Sequence, residues 1–380
     1  MSASQPGPLT VLSGSHERLD NIEALRAFAV LAVMLFHYTA RYPPEYLSFA
    51  QPVWPATYGF MGVDLFFIIS GYCIYMTATH CRGLAVFWAR RISRLQPAFM
   101  AAILITFLVV SSYSLPERQV SGLAALGNVA WLHAIGLVPP VDGVYWSLVV
   151  EAKLYLLFGL VFFGLRGRGD PVLWWTVLYL IGAGITVCDY QFTGGMVARS
   201  TYSLGTFVFP YSGYFLMGML IYRWHSTPHW LKVLAVAAFA FACWGIGKTW
   251  IESVLYFALF PLSKLVLDWK RLWVPAPIVF VGFISYPLYL LHNNVGVVVI
   301  RETRWDIPWE YVRILLAVAV SLLLATVVSL TVEHRFRKAL ERPVERFLAF
   351  VLSLPSRFRS APAQPAAEAA EVVRPRTDTL

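Results

Sequence analysis

The sequence predicts an all-α membrane protein, a polytopic bundle of about ten transmembrane helices, and two observations lead to this prediction. Of the 380 residues, 58% are hydrophobic and only 13% are charged, whereas a soluble domain carries roughly 25% charged residues. The apolar residues also fall into runs of about 16–23, close to the length that crosses the hydrocarbon core as a helix. A chain this poor in polar residues cannot cover its surface in water, so the soluble classes are excluded.

Ten apolar runs are predicted to span the membrane. They are residues 22–40, 58–79, 95–113, 145–165, 172–189, 203–222, 232–247, 252–267, 278–300 and 311–331. We expect a cytoplasmic segment over 1–21, a transmembrane domain over 22–340, and a tail over 341–380 that is basic and then disordered. Placing both termini in the cytoplasm puts 20 of the 30 Lys and Arg residues inside, as the positive-inside rule favours.

Charge and cysteine patterns exclude several classes of site. The four cysteines show no paired or metal-type spacing, so neither a disulfide framework nor a metal site is predicted. The net charge of +9 is typical of cytoplasmic loops that face lipid head groups, and no nucleic-acid partner is expected. Residues 1–21 lack the features of a cleavable signal peptide. The long outer connection 114–144 predicts a re-entrant or surface helix.

Arg26 and His37 lie eleven residues apart within the first predicted span. Eleven helical steps of about 100° return to within about 20° of the start, so both side chains share one stripe, about 16 Å apart along the axis. Ionisable groups at this depth are costly and usually face a functional cavity. The pair therefore predicts a polar cavity beside the first helix.

Three other spans carry titratable residues at the depth of the first-span histidine, namely Asp64, Glu151 and His292. Ser147 precedes Glu151 by four residues and Tyr289 precedes His292 by three, so each pair lies on one helical stripe. Each group could be satisfied locally or reach water by itself. Four such groups at matching depth favour a shared polar cavity instead.

A second cluster of charge follows the second predicted span. It consists of Arg82, Arg90, Arg91 and Arg94. A plain positive-inside loop, or contact with anionic lipid head groups, is one interpretation. The other is a site for a phosphorylated ligand, because Arg91 and Arg94 could clamp phosphate oxygens together from one helical turn. Arg26 enters the membrane from the same side.

Five segments, in this order along the chain, resemble motifs of the acyltransferase-3 family of membrane-bound O-acyltransferases. They are LDNIEALRAFAVLAVMLFHY (19–38), GVDLFFIISGYCI (62–74), FWARRISRLQP (87–97), YWSLVVEAKLYLLF (145–158) and ISYPLYLLH (284–292). The similarity extends over nearly all of the predicted transmembrane domain. A ten-helix bundle, which the resemblance also implies, agrees with the number of apolar runs.

The resemblance implies a bacterial inner-membrane enzyme that transfers an acyl group, usually from cytoplasmic acyl-CoA, to a hydroxyl group of a cell-surface glycan or similar acceptor. O-acetylation of polysaccharide is one such reaction. Acyl-CoA would be a donor substrate, and no permanently bound cofactor is expected. The residues that match the functional positions of the family are Arg26, His37, Arg91, Arg94, Trp146, Ser147 and Glu151.

These residues suggest a mechanism for acyl transfer. We expect His37 to be the general base, because imidazole titrates near neutral pH. A carboxylate, Glu151 first and Asp64 second, would orient it and stabilise its protonated form. The expected coenzyme A ligands are Arg26, Arg91 and Arg94. The expected substrate contacts are Trp146, Ser147, Tyr289 and His292.

Several alternatives stay open at this point. His37 could itself carry the acyl group as a nucleophile, and His292 could bind the acceptor or only hydrogen-bond its neighbours. The chain could instead be a proton-coupled transporter or flippase of a glycolipid, with Pro261, Pro277 and Pro287 marking broken helices. A non-catalytic sensor or scaffold is a third reading. The sequence does not identify the acyl group, the acceptor or the oligomeric state.

Overall fold

The chain folds as helices joined by turns wherever the structure describes it. This computed structural model describes residues 8–41, 53–54, 56–113, 115–165, 168–193, 208–246, 249–270 and 272–359. Within those ranges there is no strand, so the predicted all-α class is confirmed for them.

We number the α-helices of the described ranges in chain order. They are α1 (Pro8–Phe36), α2 (Gly62–Thr79), α3 (Leu84–Ser112), α4 (Gly122–Val129), α5 (Tyr145–Gly164), α6 (Pro171–Thr193), α7 (Phe209–Arg223), α8 (His229–Ile246), α9 (Trp250–Asp268), α10 (Ala276–Phe283), α11 (Ser285–Glu302), α12 (Glu310–Val328) and α13 (His334–Arg359). The short α4 is the helix predicted within the outer connection 114–144.

Several of these helices can cross a membrane. Six described helical stretches are long and apolar enough, and the bent pair α10–α11 is a seventh if it is one span. Shorter apolar stretches lie in α6 and α8, and α7 has 15 residues. The first part of the span predicted over 203–222 falls outside the described residues. A membrane bundle therefore agrees with the structure, and the number of ten spans stays a prediction.

The span predicted over 278–300 is broken rather than continuous. Its two halves, α10 and α11, meet at Ile284 and are bent by 73°. Pro287 lies in the first turn of α11, where it lacks the N–H that would bond to the carbonyl four residues earlier. Gly282 lets α10 rest on α1, because a Cβ there would lie 2.1 Å from the backbone oxygen of Glu23. The bend redirects α11 into the bundle.

α3 begins at Leu84, eleven residues before the start of its predicted span, so the arginine segment before that span is helical rather than a loop. The C-terminal helix α13 packs along these early turns of α3. One ion pair joins α13 to α3, Arg90 to Glu341 at 3.3 Å, and a second joins α13 to the turn before α3, Arg82 to Glu345 at 2.5 Å. The first part of the tail predicted over 341–380, its basic part, thus lies in α13, while residues 360–380 lie outside the described ranges.

The closest helix contact in the core joins α2 and α7. A Cβ at Gly71 would lie 2.0 Å from the backbone oxygen of Phe215, and one at Gly218 would lie 1.9 Å from that of Ile68. Small residues allow such backbone contact between membrane helices. Gly71 and Gly218 therefore permit the close approach of α2 and α7. This contact fixes α2 at the centre of the bundle, next to the polar residues described below.

Replacing Gly218 with alanine should force α2 and α7 apart, because the added Cβ collides with backbone rather than with a flexible side chain. Overpacking of this kind costs about 1–3 kcal/mol, so we expect Gly218→Ala to lower the melting temperature in detergent micelles. Gly184 in α6 is the matched control, since a Cβ there meets no described atom within 4 Å. Gly184→Ala should be neutral or slightly stabilising. Equal melting temperatures for both variants would contradict the close contact.

Candidate active site

Two histidines meet where α1 changes its winding. α1 ends at Phe36 and continues as a π-helical turn from His37 to Arg41, a distortion that is frequent at functional sites. Nδ1 of His37 lies 2.9 Å from Nε2 of His292 in α11. His292 is fully buried. The structure therefore brings two of the four predicted titratable groups into direct contact.

The residue after His37 strengthens this contact. The hydroxyl of Tyr38 donates a hydrogen bond to the backbone oxygen of His292 at 2.5 Å, and it lies 3.3 Å from Oγ of Ser321 in α12. Gly296, one turn further along α11, makes room for the Tyr38 ring, since a Cβ there would lie 2.0 Å from the hydroxyl oxygen. His37 and Tyr38, the first two residues of the π-helical turn after α1, thus contact the side chain and the main chain of His292, respectively.

The two candidate carboxylates occupy different surroundings. Glu151 accepts hydrogen bonds from Oγ of Ser70 at 2.8 Å and from the hydroxyl of Tyr155. Asp64 is buried near three side chains from α7, α8 and α9, and these are Tyr214, Cys243 and Tyr256. The ring partner of His37 in this structure is His292. A carboxylate that orients His37 therefore stays a prediction.

A polar cavity, here called the arginine cavity, opens between α1, α2, α3, α5 and α11. Its volume is about 80 Å³, room for several water molecules. The polar side chains that line it include Arg26, Cys73, Arg94, Ser147, Glu151 and Tyr289. Five of the predicted site residues thus share one cavity. Depth along the helices alone did not establish that they face one another.

The guanidinium groups of the cavity differ in how they are paired. Arg26 donates to Oε1 of Glu23 at 2.7 Å and lies 3.5 Å from Sγ of Cys73. Arg94 makes no ion pair or direct hydrogen bond with any described residue, although the charges of Glu151 and Glu333 act on it from nearby. An arginine exposed to a cavity without a direct carboxylate partner is suited to bind an anionic ligand.

Arg91 lies directly behind the cavity. It is buried, its Nη2 donates to Oγ1 of Thr77 at 2.7 Å, and its guanidinium carbon lies 5.8 Å from the centre of the Tyr155 ring. Its Nε is buried and has no hydrogen-bond partner in the described part of the chain. Arg91 and Arg94 act on each other electrostatically, as expected for the predicted pair. Their spacing on α3 therefore does place them together.

Tyr289 separates the arginine cavity from the histidine pair. Its hydroxyl lies 2.7 Å from Oγ of Ser147, and its ring centre lies 5.8 Å from that of Phe66 and 5.6 Å from that of His292. Trp146 is not among the residues that line the cavity. It is 39% exposed, and its ring centre lies 5.2 Å from that of Tyr211, with the two rings tilted by 47°. Seven of the predicted site residues therefore form two groups, five that line the arginine cavity and the two histidines, and Tyr289 of the cavity wall lies between them.

Asp142 was missed by the sequence analysis. It is buried and accepts three hydrogen bonds, from Nδ2 of Asn293 at 2.6 Å, from the backbone N of Asn294 at 3.0 Å and from the backbone N of Val144 at 3.1 Å. Burial raises the pKa of Asp142, and these three donors and the charge of Arg118 oppose that shift. Asp142 thus ties the outer connection to α11 directly beside His292.

No depth argument could have found Asp142, because the residue lies in a turn outside the predicted spans. Its position three residues before the Tyr145–Trp146–Ser147 motif was the only available signal. Arg118, from the same outer connection, donates to Oδ1 of Asn294 at 2.7 Å. The outer connection therefore reaches α11 through Arg118 as well as through Asp142.

Comparison with known proteins agrees with this arrangement. The model of a family described as an acyltransferase domain matches residues 19–333, which include the arginine cavity and both histidines. The chain belongs to the acyltransferase-3 family. The resemblance carried by the five sequence motifs is thereby confirmed, and it covers the whole bundle through α12.

Curated members of the acyltransferase-3 family include several O-acetyltransferases that this chain resembles. It is 30% identical over 198 residues to the O-acetyltransferase OatA of Staphylococcus aureus, and 31% identical over 205 residues to the peptidoglycan O-acetyltransferase OatA of Listeria monocytogenes. These matches cover 46% and 44% of this chain, respectively. The chain spans about 30% of the length of either relative. No solved structure matches the chain.

Removing the carboxylate of Asp142 should loosen the outer connection of this family member. Asp142→Ala leaves three buried donors without their acceptor, and we expect a loss of stability on the order of 3 kcal/mol. The measurement is the melting temperature of the purified protein in detergent. Asp268→Ala is the control, because Asp268 pairs with Lys264 at an exposed i,i+4 position, where the loss is about 0.5 kcal/mol. Similar shifts in both variants would show that Asp142 does not hold the connection.

Proposed function

We propose that the chain is an O-acyltransferase that moves an acyl group from acyl-CoA to a hydroxyl group of peptidoglycan or another cell-surface glycan. Membership of the acyltransferase-3 family supports the reaction class, and the names of the relatives support O-acetylation and a glycan acceptor. The observation that carries the choice of donor is the arginine cavity. We expect the protein to reside in the bacterial inner membrane with both termini in the cytoplasm.

The cavity has the charge that a phosphorylated thioester requires. Arg94 enters it without a direct carboxylate partner among the described residues, Arg26 shares its wall, and Arg91 supports it from behind. Guanidinium groups bind phosphate oxygens through paired hydrogen bonds. α13, with its exposed basic residues, packs on the same end of α3. The phosphates of coenzyme A are therefore expected at this end of the bundle.

The distance from this end to the histidines suits an extended donor. Arg26 and His37 are eleven residues apart on α1, about 16 Å along the helix axis, which is similar to the reach of a pantetheine arm. The thioester would pass Tyr289 to reach His37, so the Tyr289–Ser147 contact must open for transfer. A glycan acceptor would approach from the opposite, outer side. In this proposal the donor occupies the arginine cavity, and the acceptor reaches the histidine pair from the other side.

His37 supplies the base in this proposal. The imidazole removes the proton of the acceptor hydroxyl, whose oxygen attacks the thioester carbonyl carbon. The C–S bond breaks, the new ester bond forms, and the proton passes from His37 to the departing sulfur of coenzyme A. A route through an acyl-histidine intermediate has the same balance. Both routes need an uncharged imidazole nitrogen that faces the reacting groups.

Replacing Arg94 should weaken donor binding through the loss of its phosphate contact. A charge-assisted hydrogen bond contributes about 1.5–3 kcal/mol, so Arg94→Ala should raise the KM for acetyl-CoA by about tenfold or more. The measurement is the release of coenzyme A thiol by purified protein supplied with soluble peptidoglycan fragments. Arg346→Ala, which removes an exposed arginine of α13, should leave the KM unchanged.

A truncated donor makes this test specific for the phosphates. S-acetyl-pantetheine lacks the phosphate groups of acetyl-CoA, so the wild-type protein should prefer acetyl-CoA strongly and Arg94→Ala should reduce that preference. If the variant raised the KM of both donors equally, Arg94 would not be a phosphate ligand. If neither donor supported transfer by the wild-type protein, the proposed donor would be wrong.

Replacing His37 with alanine should lower kcat by roughly 10²–10⁴-fold, the usual contribution of a general base, with little change in the KM for acetyl-CoA. Ester formation on the acceptor, followed by mass spectrometry, is the measurement. His80→Ala, at the exposed end of α2, is the control. Incubation with radiolabelled acetyl-CoA without acceptor then distinguishes the two routes, because only an acyl-enzyme would retain label. Full activity in His37→Ala would contradict the base assignment.

The bent helix pair α10–α11 is the one feature that favours the transporter reading, since broken helices are common in transporters. The family match and the cavity arginine argue for the enzyme instead. The same thiol assay separates the two functions, because a transporter would release no free coenzyme A from acetyl-CoA. Uptake of a glycolipid into vesicles without thiol release would establish the transporter.

A further inference from the structure

The hydrogen bonds around the histidine pair determine where its protons lie. Nδ1 of His292 lies 2.7 Å from the backbone oxygen of Tyr289. A carbonyl oxygen can only accept a hydrogen bond, so Nδ1 of His292 carries a proton. A neutral imidazole has a single N–H group, and therefore Nε2 of a neutral His292 is an acceptor.

The tautomer of His292 determines the tautomer of His37. Nε2 of His292, as an acceptor, requires that Nδ1 of His37, 2.9 Å away, carries the proton between them. The lone pair of a neutral His37 must then be on Nε2. A charged imidazole is costly to bury, and the pair lies inside the bundle with His292 0% exposed, so we expect both rings to be neutral at rest.

We propose that His292 is a positioning residue that fixes the tautomer and orientation of His37, so that Nε2 of His37 is the basic nitrogen of the acyltransferase. This inference rests on the proposed function of His37 as the base. In hydrolase triads the corresponding role belongs to a carboxylate bonded to Nδ1 of the catalytic histidine. Here a second, neutral imidazole occupies the place at which the sequence analysis expected Glu151 or Asp64.

The surroundings of His292 suit a fixed positioning group better than a substrate contact. The side chain is 0% exposed, so no substrate reaches it without rearrangement. Its backbone oxygen is held by Tyr38 at 2.5 Å, and its two ring nitrogens are both engaged. The ring therefore has one available orientation, and that orientation determines the orientation of His37.

The proton path of the reaction follows from this arrangement. The hydroxyl proton of the acceptor moves to Nε2 of His37 while the Nδ1 proton remains shared with His292. The acceptor oxygen bonds to the acyl carbon, the C–S bond breaks, and the proton on Nε2 passes to the thiolate of coenzyme A. His292 gains and loses no proton in the cycle.

Two substitutions of His292 separate its two hydrogen bonds. In His292→Gln the side-chain amide extends to the position of Nε2, so its oxygen can accept from Nδ1 of His37. In His292→Asn the shorter amide reaches only the position of Nδ1, so it can donate to Tyr289 but cannot reach His37. Both side chains are polar and smaller than histidine. His133→Phe is the control for loss of a half-buried histidine ring.

His133 suits this control because it belongs to the outer connection. Burial lowers its pKa to about 4, so the ring is uncharged near neutral pH. Within the described residues neither of its ring nitrogens has a hydrogen-bond partner. Phenylalanine would keep its contact with the Phe99 ring, whose centre lies 5.7 Å away. We expect wild-type activity for His133→Phe.

The experiment measures kcat and the KM for acetyl-CoA for each purified variant. A positioning role predicts that His292→Asn loses roughly 10²-fold or more in kcat with little change in KM. His292→Gln should recover at least about tenfold of that loss. Equal kcat values for the Asn and Gln variants, or a higher value for Asn, would overturn the inference. A selective rise in the KM for the glycan would show a substrate contact instead.

A chemical probe gives a readout that is independent of turnover. Diethylpyrocarbonate acylates the unprotonated nitrogen of imidazole, and mass spectrometry of the peptide that contains His37 measures the modified fraction. We expect the His37 peptide to be modified at similar rates in wild type and His292→Gln, and more slowly in His292→Asn, in which the orientation of His37 is no longer held. An identical rate in all three proteins would overturn the inference. If the wild-type protein transferred no acyl group at all, the proposed function itself would be wrong.

Discussion

The site depends on the contact between the end of α1, with the π-helical turn that follows it, and His292 of α11. It uses a side chain of each helix and a main-chain carbonyl, through His37 and Tyr38. Water inside a bilayer is scarce, so polar groups there must find partners within the protein. A single loose contact would leave the imidazole of His37 free to rotate. The contacts that His37 and Tyr38 make with His292, both from the π-helical turn, restrict the orientation of the His37 ring.

The charged side chains of the site differ in whether a direct partner neutralises them. This difference distinguishes the two ends of the site. At one end Arg26 is neutralised by Glu23 at 2.7 Å, whereas Arg94 faces the cavity without a carboxylate in direct contact among the described residues. At the other end Asp142 closes the bundle with three hydrogen bonds. One end therefore presents arginine side chains to a cavity, and the other holds the histidine pair beside the outer connection.

Part of this site could be predicted from the sequence because helices impose regular spacing. The eleven-residue separation of Arg26 and His37, and the three-residue separation of Arg91 and Arg94, place each pair on one stripe wherever the helix occurs. The same reasoning placed Asp64 with the other groups by depth, and the structure puts it among side chains of α7, α8 and α9 instead. The depth of a residue in the membrane depends on its own helix alone. The neighbours that its side chain faces depend on how that helix is rotated against the helices around it.

The amino-acid sequence alone determined that this is a helical membrane bundle, which family it resembles and which side chains are costly enough in lipid to imply a function. Only the tertiary structure decided that His37 pairs with His292 and that Glu151 joins the arginine cavity. The physical reason is that apolar runs specify spans without specifying neighbours. The rotation and lateral order of the helices come from details such as the break at Ile284 and the close contact at Gly218. The contact at Gly218 joins segments that are far apart in the chain.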